Sequence, residues 1–418
     1  MRVLWIVNMV LPNVAAELGM QTSASGGWLV DYANKLASDP NMELATMTYA
    51  NVHEDIDREA CGIRNFIFAG GGKRLLFDHP QTAKDCQKVL DLFRPDIIHI
   101  HGTEYAIGAA MVKQRPSVPI LLTIQGVLDR ISDAYYGGLP LTERMKILTL
   151  KSVLTCKTPF CSKLLFKLNA RRERFVLENV KYVTGRTDWD KSVMLSINSK
   201  LKYYRFNYNL REQFYTAPKW DIERIDRHVV YTGAATYTLK GLHILLQAIA
   251  LVKKQYPDVC LHIPANKADY KRANAYERYI LRLVKKLGLE SNVCFIGRMD
   301  ADGVAKELRN AHVCVVPSAM EGASATMCEA KMIGTPGICA FRGGMTALLQ
   351  DGVSGFYYDF KEYPMLADRI MKLFEDDMLC VSFSRRVMQD AQVWHDREKN
   401  YHRLCEIYSE LMVEKEYA

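Results

Sequence analysis

No stretch of this 418-residue sequence reaches the ~18 consecutive apolar residues that a membrane-spanning helix needs, so none is expected. There is no C-x-x-C pair either. The eleven cysteines are odd in number, and Cys156 with Cys161 has no second pair at metal-ligand spacing, which argues against structural zinc. Most of the others sit inside apolar runs, as in Val259-Cys260-Leu261, Val293-Cys294-Phe295, Val313-Cys314-Val315 and Ile338-Cys339-Ala340, and read as small buried hydrophobes in a reducing compartment. The formal charge of +8 is not gathered into a basic tail; it is scattered as Lys73-Arg74, Arg171-Arg172, Lys253-Lys254 and Lys285-Lys286. With no RNP, zinc-finger or basic-zipper pattern, nucleic acid is not an expected partner, while a patch for phosphates or anionic lipid stays open. Met1–Asn8 turns polar too soon for a secretory leader. The expected location is the cytoplasm, with peripheral membrane contact left open. Tandem repeats and low-complexity segments are absent.

What is present is an ordinary globular composition, 49% hydrophobic and 24% charged, in a chain too long for one core. Short β-branched runs alternate with amphipathic segments, the sign of βα units and parallel sheet. Strands are expected at Val3–Asn8, Leu44–Tyr49, Ile97–His101 and Ile120–Ile124, then at Val229–Thr232, Val259–Ile263, Val293–Ile296, Val313–Val316 and Pro336–Ala340. The rhythm breaks near 207–228, around Pro218 and Trp220. The expectation is an α/β chain with an N-terminal domain at 1–212, a second at 213–390, and a C-terminal helix at 391–418 folding back on the first. Open parallel sheets bind ligands beyond the carboxyl ends of their strands, so two such domains would hold a ligand in a cleft between them.

The strand-to-helix turns carry the chemistry. After Val313–Pro317 comes Ser318-Ala-Met-Glu321-Gly322-Ala323-Ser324, with Glu329 eight residues beyond Glu321 and Gly334-Thr335-Pro336 closing the helix. At ~1.5 Å per helical residue the two carboxylates fall on the order of 10 Å apart, one for a sugar and one for a ribose with a diphosphate between. The helix start offers free N–H groups at Ala323, Ser324 and Ala325 and a positive dipole end, which suits an anion. The plainer account is a helix capped by Ser324 with a solvated second carboxylate; the flanking glycine, the strand and the Gly-Thr-Pro turn favour the ligand site.

These residues resemble the E-x7-E segment of the family 4 retaining glycosyltransferases. The likeness continues through His228–Gly233, Leu239-Lys240-Gly241, Arg342-Gly343-Gly344 and Asp351-Gly352…Gly355, and more weakly through Gly26-Gly27-Trp28, His101-Gly102-Thr103-Glu104, Gln125-Gly126 and Gly185–Asp190. It implies a GT-B architecture, two Rossmann-like doubly wound parallel-sheet domains facing a central cleft. It also implies a sugar donor carried on a nucleoside diphosphate, a saccharide or lipid-linked glycan acceptor in polysaccharide biosynthesis, and no cofactor or metal. By resemblance Lys240 and Glu321 are catalytic, the lysine on the diphosphate and the carboxylate on hydroxyls of the transferred sugar. Glu329 takes the ribose; Gly26, Gly27, Gly233, Arg298, Gly322, Ala323 and Ser324 complete the donor side; His101, Glu104, Gln125 and Arg186 are the acceptor-side candidates. Preorganised donors of this kind meet the charge that develops on the leaving diphosphate.

Two departures stand out. Relatives carry an arginine after the glycine at 233, where this chain has Ala234-Ala235, and Arg298, Arg342 or Arg186 could substitute. Gln125 stands where many relatives have a histidine, so a protein base is not assigned, although His101 is the first replacement to consider. The favoured route has the donor phosphate oxygen accept the acceptor's proton. Three D-x-D triplets, at Asp55, Asp188 and Asp300, read better as caps and chance than as metal sites. Gly70-Gly71-Gly72-Lys73 lacks the rest of a phosphate loop, and Lys200–Tyr208 reads as a buried strand. The rival functions are a nucleotide-sugar epimerase or hydrolase on the same scaffold and a non-catalytic sugar or nucleotide binder.

Overall fold

The computed structural model describes residues 1–21, 27–148, 152, 154, 158–233, 237–267 and 275–416. The chain divides into two compact units: residues 1–129, 167–209 and 395–418 form the first, and 130–166 with 210–394 form the second. The expected limits of 1–212 and 213–390 therefore need correction at 130–166. Leu139 from this segment is buried in the core of the second unit, and the Gly137 carbonyl accepts a 2.8 Å bond from the His243 ring.

The first unit is built on an eight-stranded sheet. Its strands are β1 (Arg2–Ile6), β2 (Glu43–Ala50), β3 (Ile56–Ala60), β4 (Ile63–Ala69), β5 (Ile97–His101), β6 (Ile120–Thr123), β7 (Tyr182–Gly185) and β8 (Lys202–Arg205). The order is β3-β4-β2-β1-β5-β6-β7-β8, parallel throughout except for the β3–β4 hairpin. Strand β1 shows why helices cover both faces: Leu4 and Ile6 enter one core cluster while Val3 and Trp5 enter another, as the two-residue period of a strand requires. The helix Arg397–Glu416 lies in this unit, with Leu404, Ile407, Tyr408 and Leu411 buried beside Trp5.

The second unit is a six-stranded, all-parallel sheet. Its strands are β9 (Asp226–Tyr231), β10 (Cys260–Ile263), β11 (Val293–Phe295), β12 (Ala311–Val316), β13 (Gly337–Ala340) and β14 (Phe356–Tyr358), in the order β11-β10-β9-β12-β13-β14. Strands β9 and β12 are the centre, and β12 is buried at all six positions, which is why it reads as a continuous apolar run. Because β9, β12 and β13 are parallel neighbours, the turns that follow them meet at one end of the sheet. The order reverses between β9 and β12, the switch point where open α/β sheets take ligands.

The D-x-D pairs are used structurally. Asp55 accepts from the Ala69 N–H at 2.9 Å and Asp57 pairs with Arg64 at 2.9 Å. Thr187 and Asp190 form a reciprocal capping box, and Asp300 caps the helix Ala301–Asn310 through Gly303 N–H at 2.9 Å. Among the described residues no helix is long and apolar enough to cross a membrane.

Candidate functional site

Three turns of the second unit are tied together by their backbones. After β9 the chain makes a single 3₁₀ turn, Thr238–Lys240, and passes through Gly241 at φ +70° into the helix Leu242–Val252. A Cβ on Gly241 would fall 1.8 Å from the Pro317 carbonyl oxygen, so only glycine allows the turn after β12 to lie this close. The Ala319 N–H donates to the Leu239 carbonyl at 2.7 Å and locks the two turns. The turn after β13 joins them: Gly344 N–H donates to the Glu321 carbonyl at 2.9 Å, and Gly343, at φ +59°, lies so near that a Cβ would stand 2.3 Å from the same oxygen.

This frame brings Lys240 to Glu321. The Lys240 ammonium donates to Glu321 Oε1 at 2.5 Å, and the Ser318 hydroxyl donates to the same oxygen at 2.9 Å. Burial works against the Lys240 charge, yet the adjacent carboxylate outweighs it and holds the lysine pKa above its ordinary value. Next to them Ser324 caps the helix Ala325–Ile333 by accepting from Met327 N–H. The first-turn N–H groups of Ala325 and Thr326 precede the i→i−4 ladder, so the helix start keeps its anion-binding character. Gly233, two residues past β9, lies against this turn, where a Cβ would stand 2.4 Å from Thr326 Oγ1. Gly322 is half-buried and Ala323 buried in the same bend.

Glu329 is placed further along that helix and already has a partner. Arg211 Nη2 donates to Glu329 Oε1 at 2.8 Å; burial raises the Glu329 carboxyl pKa and the guanidinium pulls it back. Arg211 lies in the stretch where the βα rhythm breaks, and no sequence signal pointed to it. Arg298 follows the edge strand β11, two strands from β9, and is exposed. Arg342 pairs with Asp359 at 3.0 Å. Gly26 and Ala234-Ala235 lie outside the described residues.

Missing from the sequence reading was the segment around 135–139, which packs on the Lys240 turn. The Thr238 hydroxyl donates to the Tyr135 carbonyl, and the buried His243 ring bridges the Gly137 carbonyl and the Tyr276 hydroxyl at 2.8 and 2.9 Å. Burial pushes the His243 pKa down to about 4, so the ring is a neutral strut.

In the first unit the four acceptor-side candidates come together at the carboxyl ends of β5, β6 and β7. Gln125 Nε2 donates to the His101 carbonyl at 3.3 Å, and Arg186 reaches the Gln125 carbonyl at 3.5 Å. The Arg186 guanidinium lies over Tyr208, 4.4 Å from the ring centre, and Tyr208 stacks at 4.0 Å on Trp28. Trp28 in turn meets His101 edge-on at 5.7 Å, next to Gly27 at the start of the helix Gly27–Ser38. Both His101 nitrogens and Glu104 Oε2 are buried with no hydrogen-bond partner among the described residues. Burial depresses His101 to about 3 and raises Glu104 to about 7. A histidine whose conjugate acid is that strong is a poor proton acceptor. Glu104 instead changes charge near neutrality. Behind it, buried Glu173 accepts from the Thr103 hydroxyl at 2.5 Å and the Leu128 N–H at 3.0 Å, with its pKa pushed to about 8 by burial.

Two parallel α/β units of this kind are the GT-B architecture, and solved structures share it along the whole chain. Sucrose-phosphate synthase from Thermosynechococcus elongatus superposes with a TM-score of 0.74 at 17% identity, covering 99% of both chains. Anabaena HepE in complex with UDP gives 0.66 at 16% identity, over 98% of this chain and 100% of that one. Residues 217–390 match the family model described as Glycosyl transferases group 1. A D-inositol 3-phosphate glycosyltransferase of Corynebacterium urealyticum is 27% identical over 175 residues, 41% of each chain. An uncharacterised glycosyltransferase of Methanocaldococcus jannaschii is 21% identical over 78% of each chain. The inositol-phosphate enzymes are thus matched over less than half of their own length.

Proposed function

We propose that this protein transfers a sugar, with retention of configuration, from a nucleoside diphosphate donor to a saccharide or lipid-linked glycan acceptor. One observation carries the reading: Lys240, Glu321 and Ser318 are held in contact by three interlocked turns, beside a helix start suited to an anion, inside the group 1 domain. In the free protein Lys240 and Glu321 neutralise each other. A donor can replace both halves of that pair at once, its diphosphate taking the ammonium and its sugar hydroxyls taking the carboxylate. Glu329, with Arg211 on one oxygen, accepts from ribose hydroxyls through the other. The polar cluster of the first unit is assigned to the acceptor, and the depressed pKa of His101 supports a route in which the donor phosphate oxygen takes the acceptor's proton. No metal or cofactor has a role in this reading, which fits a step in polysaccharide assembly.

Thermal-shift screening against a panel of nucleotide sugars tests it. A donor at one hundred times its dissociation constant should stabilise the fold by ~2.7 kcal/mol, and Lys240→Ala should abolish the shift. No response to any donor would remove the reading. Turnover of the donor alone, at full rate without any acceptor, would transfer it to a hydrolase or epimerase.

A further inference from the structure

Far apart in sequence, Cys260, His262 and Cys294 meet on one face of the second sheet. Cys260 and His262 are two residues apart on β10 and so point the same way, and His262 stands opposite Cys294 in the β10–β11 register. The two sulfurs are 2.7 Å apart, and the ligand atoms of all three residues lie within 4.8 Å of one another. Each of the three is half-buried. From the helix Ala301–Asn310, Glu307 Oε2 accepts a 2.8 Å bond from His262 Nδ1. Two sulfurs and an imidazole gathered within 4.8 Å of one another, with a carboxylate holding the ring, make up the donor set of a borderline-soft ion, which the two thiols would take by moving apart from their 2.7 Å contact. The carboxylate–histidine contact is the outer-shell support such sites use.

We infer that Cys260, His262 and Cys294 form a Zn²⁺-class metal site, with Glu307 orienting the histidine or completing the coordination. The ion sits between adjacent strands and staples the three-residue edge strand β11 to β10. Its role is structural: the ligands belong to β10 and β11, whereas Lys240 and Glu321 belong to the turns after β9 and β12. The inference is independent of the donor-site reading.

Full-length protein, reduced, treated with a chelator and desalted under argon, is titrated with Co²⁺ as a spectroscopic probe for Zn²⁺. The expected result is one equivalent bound per chain, with thiolate-to-cobalt charge transfer in the near ultraviolet and tetrahedral d–d bands, both bleached by one equivalent of Zn²⁺. Cys260→Ser and Cys294→Ser, nearly isosteric replacements, lose the charge-transfer absorption, and Glu307→Gln weakens binding by roughly 10- to 100-fold. Cys405→Ser, a half-buried thiol elsewhere, binds as the parent does. Zn²⁺ raises the melting temperature of the parent but not of Cys294→Ser. Absence of thiolate-to-cobalt absorption from fully reduced protein overturns the inference. So does charge transfer that survives in both serine variants, or a Cys260–Cys294 disulfide that persists under the reductant and accounts for both thiols.

Discussion

At the scale of single residues, two carboxyls of this protein stand in contrast. Glu321 is paired with Lys240 and Ser318 and is the group with most to offer a donor sugar. Replacing it with alanine should lower turnover by about tenfold to a thousandfold, a few kcal/mol of transition-state stabilisation, with an unchanged circular dichroism spectrum. Full activity in that variant would end its assignment. Glu173 differs: it is 1% exposed, has no cationic partner among the described residues, and satisfies a hydroxyl and a backbone N–H. Its folded pKa of about 8 lies above the ordinary 4.5. The stability it contributes is therefore complete below about pH 4.5 and is lost as pH rises through about 8. A glutamine can keep both contacts, its carbonyl on Leu128 N–H and its amide on the Thr103 hydroxyl, without ever ionising. Glu173→Gln should thus gain melting temperature over the parent as pH is raised from about 5 to about 9, and parallel curves would refute the buried-acid account. Glu321 was legible in the sequence because its motif is local. Glu173 was not, because its burial is made by a helix meeting strands from elsewhere.

At the scale of elements, the turns were more legible than their purpose. The Lys240-Gly241 pair could be picked out as a helix start, but the structure gives the reason for the glycine: a positive φ and a backbone oxygen where a Cβ would sit. Gly241→Ala forces the turn after β12 away from the turn after β9, separating Lys240 from Glu321. The αL penalty alone is about 1–2 kcal/mol. Chemical denaturation should show at least that loss, and donor binding should weaken more than the stability change explains; a variant that binds donor normally would show that the turns need not touch. The nine strands expected from apolar runs all exist, with ends that differ by at most three residues and, for Ile97–His101, not at all. The hairpin β3–β4 was not expected, because β3 is an exposed edge strand, Ile-Asp-Arg-Glu-Ala, whose charged residues hide the alternation. Its two-residue turn, Cys61-Gly62, has positive φ at both positions, and only the glycine advertises it. Cys260 and Cys294 read as plain core thiols in the sequence, since 34 residues separate two side chains that neighbouring strands place together.

The whole molecule follows a path that no local signal could reveal: the chain leaves its first unit at 129 and 209 and returns to it at 167 and 395. The last return has an energetic consequence. Leu404, Ile407, Tyr408 and Leu411 are each at most 1% exposed, and the Tyr408 hydroxyl accepts from Trp5 Nε1 at 2.9 Å and bonds His99 Nδ1 at 2.7 Å. Burying side chains of this size contributes about 1.5–3 kcal/mol each, so these four are worth on the order of 6–12 kcal/mol, comparable with the ~5–15 kcal/mol that holds a whole domain together. A chain ending at Trp394 should therefore lose the first unit while keeping the second, whose core cluster contains none of the four. Hydrogen exchange would show it directly: amides of β1 and β5 become unprotected, while those of β9 and β12 stay slow. If β1 and β5 remain as protected as in the full chain, the terminal helix is only an attachment, and the core of the first unit closes without it. Tyr408→Phe grades the same argument, because it removes the hydroxyl and leaves the ring. A loss of about 1–3 kcal/mol is expected for the stranded His99 and Trp5 groups, confined to the unfolding transition of the first unit.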